Sequence, residues 1–385
     1  MPLTLESRLT LPAIVGRASS WISGVPEARN AHLYLSPETG RYVRAGAPAS
    51  FSQMGTFEAA GTRYERTSGG AYLPRGVDVP RLADFGSGER RWFLTGEYTN
   101  ALRWSEDMTQ SAWVKNNGAT VEPGGILSRL GLPCAKINIP PGGDQKLRQF
   151  VDVTAVPDGT PITYSFEAHV DGPQTVAVRP FSDGAGFTGG QQDFDLDPGW
   201  NELSMTVGKP AGATAVYFSV MGEQSAYSYH MAAANLTATP IRTAPVITEG
   251  SAVTSAPELF NSDLSGFDLS GGVWVFFDGA MYGTNEPFPP YFTIQSDVNN
   301  RLTVFQNTAN GVIRALQTSA GAGEGINGPV VPPGDPAKFA VRFEPDNMAF
   351  IVGGVTAGTV ASVGYPAGLS DFHLGARDAG GAGKP

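Results

Sequence analysis

Residues 162–170 read ITYSFEAHV and carry the clearest secondary-structure signal of the chain. From Tyr164 to Val170 its apolar side chains recur at every second position, which is the period of a β-strand with one buried face. Similar short segments precede and follow it, separated by turn clusters such as PDGTP, DGP and DPGWN. Short strands joined by polar turns predict an antiparallel β-sandwich over residues 95–248.

The same pattern returns towards the C-terminus. Residues 240–257 contain few apolar side chains and are typical of a linker. Beyond them, Gly272–Asp278 (GVWVFFD) and Lys338–Glu344 (KFAVRFE) predict strands of a second β-sandwich over residues 258–385. Residues 1–94 are poorly periodic and lack a core pattern of their own. The chain is therefore predicted to be all-β, with tandem antiparallel β-sandwiches after an irregular N-terminal region.

Composition supports this fold and excludes several function classes. Glycine and proline number 49 and 30 among 385 residues, an excess that disfavours long helices. A net charge of −10 argues against nucleic-acid binding, because phosphate recognition needs excess cationic groups. Cys134 is the only cysteine and the four histidines are far apart, so no disulfide and no Cys- or His-based metal site is indicated. The sequence shows neither a secretory signal nor an apolar span of ~18 residues, so no membrane insertion is expected.

Two motifs give the sequence a family resemblance. Thr99–Asn117, TNALRWSEDMTQSAWVKNN, resembles a segment that recurs in phage tail-fibre and minor tail proteins and opens a jelly roll similar to carbohydrate-binding modules. Thr248–Glu258, TEGSAVTSAPE, resembles the sequence that follows such modules, and the β-region beyond it resembles a concanavalin A/laminin-G-type lectin fold. The resemblance covers roughly residues 60–385, although Ala101 and Met108 stand where the family more often has Leu and Phe.

The resemblance implies a structural fibre or spike protein of a phage-like particle, either a phage or a gene-transfer agent. Such a protein binds host cell-surface polysaccharide without cleaving it and assembles with other structural proteins of the particle. Residues 1–94 would serve attachment or oligomerisation. Shallow sugar sites bind weakly, and linking several copies raises avidity by about 10²–10⁴, so a homo-oligomer, a trimer by expectation, is predicted. The protein would be made in a bacterial cytoplasm without a signal peptide and would lie on the particle surface.

A sugar site needs an exposed aromatic face beside amide and carboxylate groups. The loop from Tyr282 to Tyr291 and the turn over residues 297–300 contain these residue types, and the DPGWN turn places one tryptophan at a strand boundary. Alternatively, the loop aromatics only cover the sandwich rim and the asparagines only make a turn. The predicted carbohydrate-binding residues are Trp200, Tyr282, Asn285, Tyr291, Asp297, Asn299 and Asn300. No cofactor is expected, with Ca²⁺ bound by oxygens of residues 297–300 as the one alternative.

Catalysis is the main alternative function. Asp193, Asp195 and Asp197 place three carboxylates on one face of a strand, and carboxylate pairs cleave glycosidic bonds in polysaccharide depolymerases. The simpler interpretation is a charged strand edge that discourages edge-to-edge pairing. The sequence contains no GxSxG, HExxH or P-loop motif. We therefore predict no catalytic residues, and a depolymerase or a purely structural shaft remain the alternatives.

Overall fold

The computed structural model describes residues 9–14, 33–36, 41–45, 47–67, 70–84, 90–92, 98–142, 145–183, 190–222, 226–239, 242–279, 289–307, 310–332, 335, 337–361 and 364–374. Within these ranges the only helix is a single turn, α1 (Phe51–Met54), and all other regular structure is β. The all-β fold class is therefore confirmed. No helix in these ranges is long and apolar enough to cross a membrane.

The strands are short, as the turn spacing predicts. The first nine are β1 (Leu9–Ile14), β2 (Leu33–Ser36), β3 (Arg41–Arg44), β4 (Ala47–Ala49), β5 (Thr56–Glu58), β6 (Arg63–Arg66), β7 (Tyr72–Arg75), β8 (Leu82–Asp84) and β9 (Arg90–Trp92). The middle set is β10 (Tyr98–Asn100), β11 (Val114–Lys115), β12 (Thr120–Leu127), β13 (Pro133–Ile139), β14 (Gln145–Arg148), β15 (Val151–Asp152), β16 (Pro161–Val170), β17 (Gln174–Ser182), β18 (Gln192–Leu196), β19 (Gly199–Gly208), β20 (Ala215–Met221), β21 (Tyr227–Thr237) and β22 (Val253–Ser255). The last set is β23 (Leu259–Asp263), β24 (Val273–Gly279), β25 (Pro290–Asp297), β26 (Asn300–Gln306), β27 (Val312–Ser319), β28 (Ala322–Val330), β29 (Ala337–Glu344), β30 (Asn347–Val352), β31 (Val355–Ala361) and β32 (Asp371–Leu374).

The chain forms two compact units, which divide it differently from the three segments expected from sequence. The jelly-roll-like unit consists of Gly70–Pro74 and Glu97–Ser255. The composite unit consists of Met1–Gly69, Arg75–Gly96 and Ala256–Pro385. The N-terminal region therefore belongs to the same unit as the C-terminal sandwich. A role of that region in attachment or oligomerisation stays a prediction.

The jelly-roll-like unit is built from two facing sheets. One has the strand order β12-β13-β21-β16-β19, and the other has the order β11-β14-β20-β17-β18 with β15 also paired to β20. The predicted inward side chains of β16, from Tyr164 to Val170, are at most 3% exposed. They meet the inward side chains of β20, and the ring of Tyr164 stacks on Phe218 with centroids 5.0 Å apart. The alternating pattern of the sequence is thus the inner wall of this sandwich.

The composite unit takes strands from both ends of the chain. Its two sheets have the orders β31-β30-β29-β24-β1-β2-β3-β4 and β28-β27-β26-β25-β32-β23-β5. β1 lies parallel to β24, and β5 pairs with β23 so that Phe57 stands opposite Phe260. Leu33, Met54 and Phe57 are buried in the same core as Phe260. The N-terminal region shows no core pattern of its own because its apolar partners lie about two hundred residues away in sequence.

A buried ion cluster lies in the composite unit. Glu258 is fully buried and accepts hydrogen bonds from Nη1 of Arg63 at 2.5 Å and from Nε of Arg81 at 2.8 Å. Arg63 and Arg81 are only 3% and 1% exposed. Both arginines pair with this carboxylate, and Asp78 adds a weaker attraction for Arg63. The pairing matters because an unpaired buried charge is strongly unfavourable.

Replacing Glu258 is therefore expected to destabilise the composite unit. Glu258→Ala should lower its free energy of unfolding by about 3–5 kcal/mol, because two buried guanidinium groups lose their counter-charge. Glu58→Ala is the matched control, since Glu58 is exposed and should change stability by less than about 0.5 kcal/mol. Chemical denaturation followed by circular dichroism measures both values. Equal unfolding midpoints for the two variants would contradict this role of Glu258.

Candidate functional site

Three aromatic rings lie in a row on one face of the sheet that contains β20. The ring centroid of Tyr217 is 4.5 Å from that of Phe150 and 5.2 Å from that of Phe181. The rings of Tyr217 and Phe181 are nearly parallel, with an interplanar angle of 11°. Phe150 is 47% exposed, and the other two rings are partly exposed. These three residues are called the aromatic row.

The alternation of β20 places the aromatic row on the outer face. Val216, Phe218 and Val220 are at most 2% exposed and point into the sandwich core. Tyr217 and Ser219 therefore occupy the opposite face, because successive side chains of a strand alternate. The cross-strand pairing then brings Phe181 opposite Tyr217.

Two arginines flank the aromatic row. The guanidinium carbon of Arg148 lies 5.1 Å from the ring centroid of Phe150 and 4.9 Å from that of Tyr217. The guanidinium carbon of Arg179 lies 5.2 Å from the ring centroid of Phe181. These distances are typical of cation–π contacts. Arg148 and Arg179 both stand opposite Ser219 in the sheet register, one on each side of β20, and are called the arginine pair.

Sequence reasoning missed the aromatic row, although a signal for its central ring exists. In AVYFSVM of β20, the apolar residues Val216, Phe218 and Val220 define the inward face, so Tyr217 is assigned outward by period two. The flanking rings are not recoverable in this way. They meet Tyr217 only through pairings of β20 with β15 and β17, which span tens of residues.

Trp200, the tryptophan predicted at a turn-to-strand boundary, lies on β19 in the opposite sheet and is partly exposed. Its ring meets His169 edge-on, with centroids 5.4 Å apart. Its backbone carbonyl accepts a hydrogen bond from Nη2 of Arg129 at 2.9 Å. Trp200 is therefore accessible, but it is a single ring without an aromatic neighbour besides histidine among the described residues.

The other described aromatic residue of the prediction lies inside the composite unit. Tyr291 is 4% exposed, and its ring packs edge-on against Phe277 and Phe339 at 5.1 and 5.4 Å. It belongs to the core because β25 turns this side chain inward, and a ring so buried presents no face to a sugar. Tyr282 and Asn285 lie outside the described residues.

The predicted polar residues Asp297, Asn299 and Asn300 form the turn between β25 and β26. Oδ1 of Asp297 accepts the backbone N–H of Asn299 at 2.7 Å, and its Oδ2 accepts Nδ2 of Asn300 at 3.0 Å. Oδ1 of Asn300 is occupied by the backbone N–H of Ala320 at 3.0 Å. These contacts are those of a hydrogen-bonded turn, and the amide donors facing Asp297 do not fit a Ca²⁺ site, which needs oxygen ligands. Within the described part of the chain no group of three or more His, Cys, Asp or Glu side chains is placed to hold a metal ion.

A network of paired charges lies beside Trp200. Glu167 is fully buried and lies 3.3 Å from Nη2 of Arg242 and 3.8 Å from Nη1 of Arg129. Glu202 pairs with the same two arginines, at 2.9 Å from Nη1 of Arg129. Burial raises the pKa of Glu167 although both arginines oppose the shift. The two carboxylates and two guanidinium groups of this network neutralise one another.

Glu106 is the carboxyl group most strongly affected by burial. One of its oxygens accepts the backbone N–H of Ala233 at 2.5 Å. Burial, and to a smaller extent the charge of Glu167, raises the pKa of Glu106 to about 8. The side chain is therefore protonated in the folded protein at neutral pH.

A concavity of about 1050 Å³ lies elsewhere in the jelly-roll-like unit. Tyr227 is its one aromatic ring among the described residues, and its hydroxyl donates to the carbonyl of Met221 at 2.5 Å. Nε2 of Gln174 donates to the carbonyl of Ser228 at 3.0 Å. Asp193 also lines this concavity and accepts a hydrogen bond from Gln191. The concavity thus offers polar groups, most of them already engaged, and less aromatic surface than the aromatic row.

Comparison with solved structures finds distant likenesses only. The enzymatically active domain of tailspike protein 4 from bacteriophage CBA120 matches at 13% identity and a TM-score of 0.28, over 36% of this chain and 21% of that chain. TmCBM61 in complex with β-1,4-galactotriose matches at 16% identity and 0.25, over 36% and 97%. The CBM22-1–CBM22-2 tandem of Paenibacillus barcinonensis Xyn10C matches at 11% identity and 0.29, over 74% and 97%. No family model matches the chain, and no curated protein matches it either. TM-scores this far below 0.5 carry no functional argument, so the case for a function depends on the residues described above.

The raised pKa of Glu106 predicts a pH dependence of stability. Its ordinary value is 4.5, so between pH 4.5 and about 8 the folded state holds a proton that the unfolded state has lost. The contribution of Glu106 to the free energy of unfolding is therefore fully present below pH 4.5. It falls by at most about 1.4 kcal/mol per pH unit as the pH rises from 4.5 to about 8. Glu106→Gln should flatten this decline, because a neutral amide needs no proton.

Denaturant unfolding of the jelly-roll-like unit at pH 5, 6.5 and 8 measures the effect. Glu122→Gln is the matched control, since Glu122 is exposed on β12, in the sheet that contains Ala233, and should leave the profile unchanged. Glu167 is present in all three proteins, so its titration contributes to all three profiles. Identical pH profiles for Glu106→Gln and the unsubstituted protein would contradict the assignment of a buried proton to Glu106.

Proposed function

We propose that this chain is a structural fibre or spike protein of a phage-like particle that binds host cell-surface polysaccharide without cleaving it. The aromatic row of the jelly-roll-like unit is the proposed binding surface. The residue types and the family resemblance of Thr99–Asn117 and Thr248–Glu258 support the particle assignment. A phage and a gene-transfer agent fit this proposal equally.

The aromatic row is the observation that carries the binding proposal. Sugar rings present C–H groups on their faces, and these pack on the faces of aromatic side chains. Phe150, Tyr217 and Phe181 supply three adjacent rings. Tyr217 and Phe181 lie on paired strands and Phe150 directly precedes β15, so the sheet fixes their positions. Spacings of 4.5 and 5.2 Å between centroids suit an extended chain that lies across several strands. An open surface of this kind favours a polymer over a small, enclosed ligand.

A shallow surface binds one sugar chain weakly, so the proposal includes several copies per particle. Linking copies converts later binding events into intramolecular ones and raises avidity by about 10²–10⁴. A homotrimer is the proposed assembly, with other structural proteins of the particle as further partners and the particle surface as its location. The lectin-like assignment of the composite unit belongs to the same proposal.

A polysaccharide depolymerase is the rival function. Glycoside hydrolysis needs two carboxyl groups about 5–9.5 Å apart that reach the substrate. Glu106 has a raised pKa, which suits a general acid, but its neighbour Glu167 is fully buried. Asp193 and Asp195 are exposed on β18, the terminal strand of its sheet, and accept hydrogen bonds from Gln191 and Thr175. Neither pair combines exposure with a cleft that holds a substrate between two carboxylates.

Substitution of the aromatic row tests the binding surface. Phe150→Ala and Tyr217→Ala should each weaken retention of bacterial capsule or lipopolysaccharide by about fivefold or more, because loss of one stacked ring removes about 1 kcal/mol. Leu127→Ala is the matched control, since Leu127 is an exposed apolar residue of the other sheet. Affinity electrophoresis through a panel of such polysaccharides measures retention, and circular dichroism checks folding. Loss of binding in Trp200→Ala with full binding by the aromatic-row variants would place the site on the opposite sheet.

The same incubations distinguish binding from cleavage. Binding without catalysis predicts intact polymer and no new reducing ends. Release of reducing ends would establish the depolymerase instead. If the chain supports particle assembly but binds no polysaccharide of the panel, it is a structural shaft component.

A further inference from the structure

The arginine pair indicates the charge of the ligand, which the aromatic row alone does not. Nε of Arg148 is buried and has no hydrogen-bond acceptor among the described residues. Nη2 of Arg148 lies 3.3 Å from the side-chain amide of Asn116, which is a neutral partner. Neither Arg148 nor Arg179 forms an ion pair with any residue that the structure describes. Both cations are instead held against aromatic rings.

This pattern contrasts with the partnered arginines of the chain. Arg63 and Arg81 share Glu258, and Arg129 and Arg242 share two glutamates. The composite unit contains two parallels to the arginine pair. Arg44 lies 5.4 Å over the ring of Phe267, but its guanidinium also donates to the backbone carbonyls of Met54 and Asp263. Arg342 lies 5.5 Å over the ring of Trp274, but its Nε is also 3.4 Å from a carboxylate oxygen of Glu344.

In a chain with 36 acidic and 26 basic residues, carboxylate partners are abundant. The positive charge of the arginine pair is uncompensated, because none of the described carboxylates forms an ion pair with either guanidinium group. On β18, the acidic residue nearest in register to Arg179 is Asp193. It stands opposite Ala177, which is two residues before Arg179 on β17. Its Oδ1 accepts a hydrogen bond from Gln191.

The two sides of the aromatic row differ in charge, with both arginines at the level of Ser219 on β20 and two aspartates at the level of Ala215. Asp152 stands opposite Ala215 on β20, and the backbone N–H of Asp183 donates to the carbonyl of Ala215. Hydrogen bonds from Thr154 lower the pKa of Asp152, and hydrogen bonds from Thr214 and Ala215 lower the pKa of Asp183. Both carboxylates are therefore ionised at neutral pH. An anionic group on a ligand is attracted by the arginine side of the row and repelled by the aspartate side.

We infer that the aromatic row and the arginine pair together bind an acidic polysaccharide whose sugars carry carboxylate groups. This inference depends on the proposed function and specifies its substrate class. A sugar face stacks on Tyr217 or on Phe150, whose rings are inclined by 57° to each other, while its carboxylate accepts hydrogen bonds from Arg148 or Arg179. Guanidinium groups suit this role because their planar donors match the two oxygens of a carboxylate. Cation–π contact with the rings holds the donors in place before the ligand arrives.

A panel of paired polymers tests this substrate class. The acidic members are polygalacturonate, alginate, hyaluronate and purified bacterial capsules that contain uronic acids, and each is compared with its carboxyl-reduced form. The full-length protein should bind at least one acidic member, and carboxyl reduction of that polymer should weaken binding at least tenfold. Dextran and dextran sulfate are included, because binding to dextran sulfate as strong as to the carboxylated polymer would overturn carboxylate recognition in favour of simple charge attraction.

Substitution of the arginine pair gives the second arm. Arg148→Gln and Arg179→Gln should each weaken binding of the acidic polymer about tenfold and leave any binding of its reduced form unchanged. Arg103→Gln is the matched control, because Arg103 is exposed in the same unit and outside the aromatic row. Two variants at separate positions guard against a folding defect in one of them.

The outcomes separate this inference from the proposed function. If Phe150→Ala and Tyr217→Ala lose binding while the arginine variants and carboxyl reduction have no effect, the surface binds neutral glycans and the acidic substrate class is overturned. If no polymer binds, the proposed function and this inference both fail. If the arginine variants and carboxyl reduction both weaken binding as stated, the substrate class is established.

Discussion

The alternation of β20 is the constraint on which the rest of the jelly-roll-like unit depends. Val216, Phe218 and Val220 must face the core, where Phe218 stacks on Tyr164 of the facing sheet. A shift of one residue would bury Tyr217 and expose all three apolar side chains, so the register is strongly fixed. The register also determines which side chains are neighbours on the outer face. β20 pairs with β14, β15 and β17 and places their outward side chains beside its own. One strand thereby sets both the core and the aromatic row.

Local patterns in the sequence were enough to predict the fold class. The period-two alternation from Tyr164 to Val170 and the dense turn signals indicated short antiparallel strands, and the structure consists of such strands. The joining of the N-terminal region to the C-terminal sandwich was beyond reach. Phe57 and Phe260 pair across about two hundred residues, and nothing in the local pattern of either segment specifies that contact. Long-range pairing is a property of the whole fold, so a segment without its own core pattern appears irregular when read alone.

The same distinction explains the candidate site. Residue type and turn context suggested that Trp200 is accessible, and it is partly exposed, but they gave no means of knowing that Tyr291 faces inward against Phe277. The aromatic row is assembled from three separate segments of the chain, and only its central ring can be assigned a face from local alternation. Binding surfaces on β-sheets are generally of this kind, since neighbours across strands are distant in sequence. The family resemblance implied a class of ligand, whereas strand pairing determines which rings are adjacent.

Charge is distributed differently in the interior and on this surface. The buried arginines around Glu258 and Glu167 are compensated within the protein, where an unpaired charge would be costly. Arg148 and Arg179 are instead held by aromatic rings at a solvent-accessible face, where water screens the charge and a ligand can approach. Stability therefore does not require a carboxylate beside them. Their placement leaves donors available on the same face as the three rings.

Mapping of ligand contacts by NMR on the bound protein tests the central claim most directly. Selective ¹³C labelling of phenylalanine and tyrosine rings, followed by titration with oligomers of the polysaccharide that binds, reports which aromatic side chains meet the sugar. If the aromatic row binds the sugar, the largest shift changes occur at Phe150, Phe181 and Tyr217, and Tyr164 and Phe218 in the core are unaffected. Shift changes confined to Tyr227 in the concavity, or to the opposite sheet around Trp200 in a tryptophan-labelled sample, would contradict it.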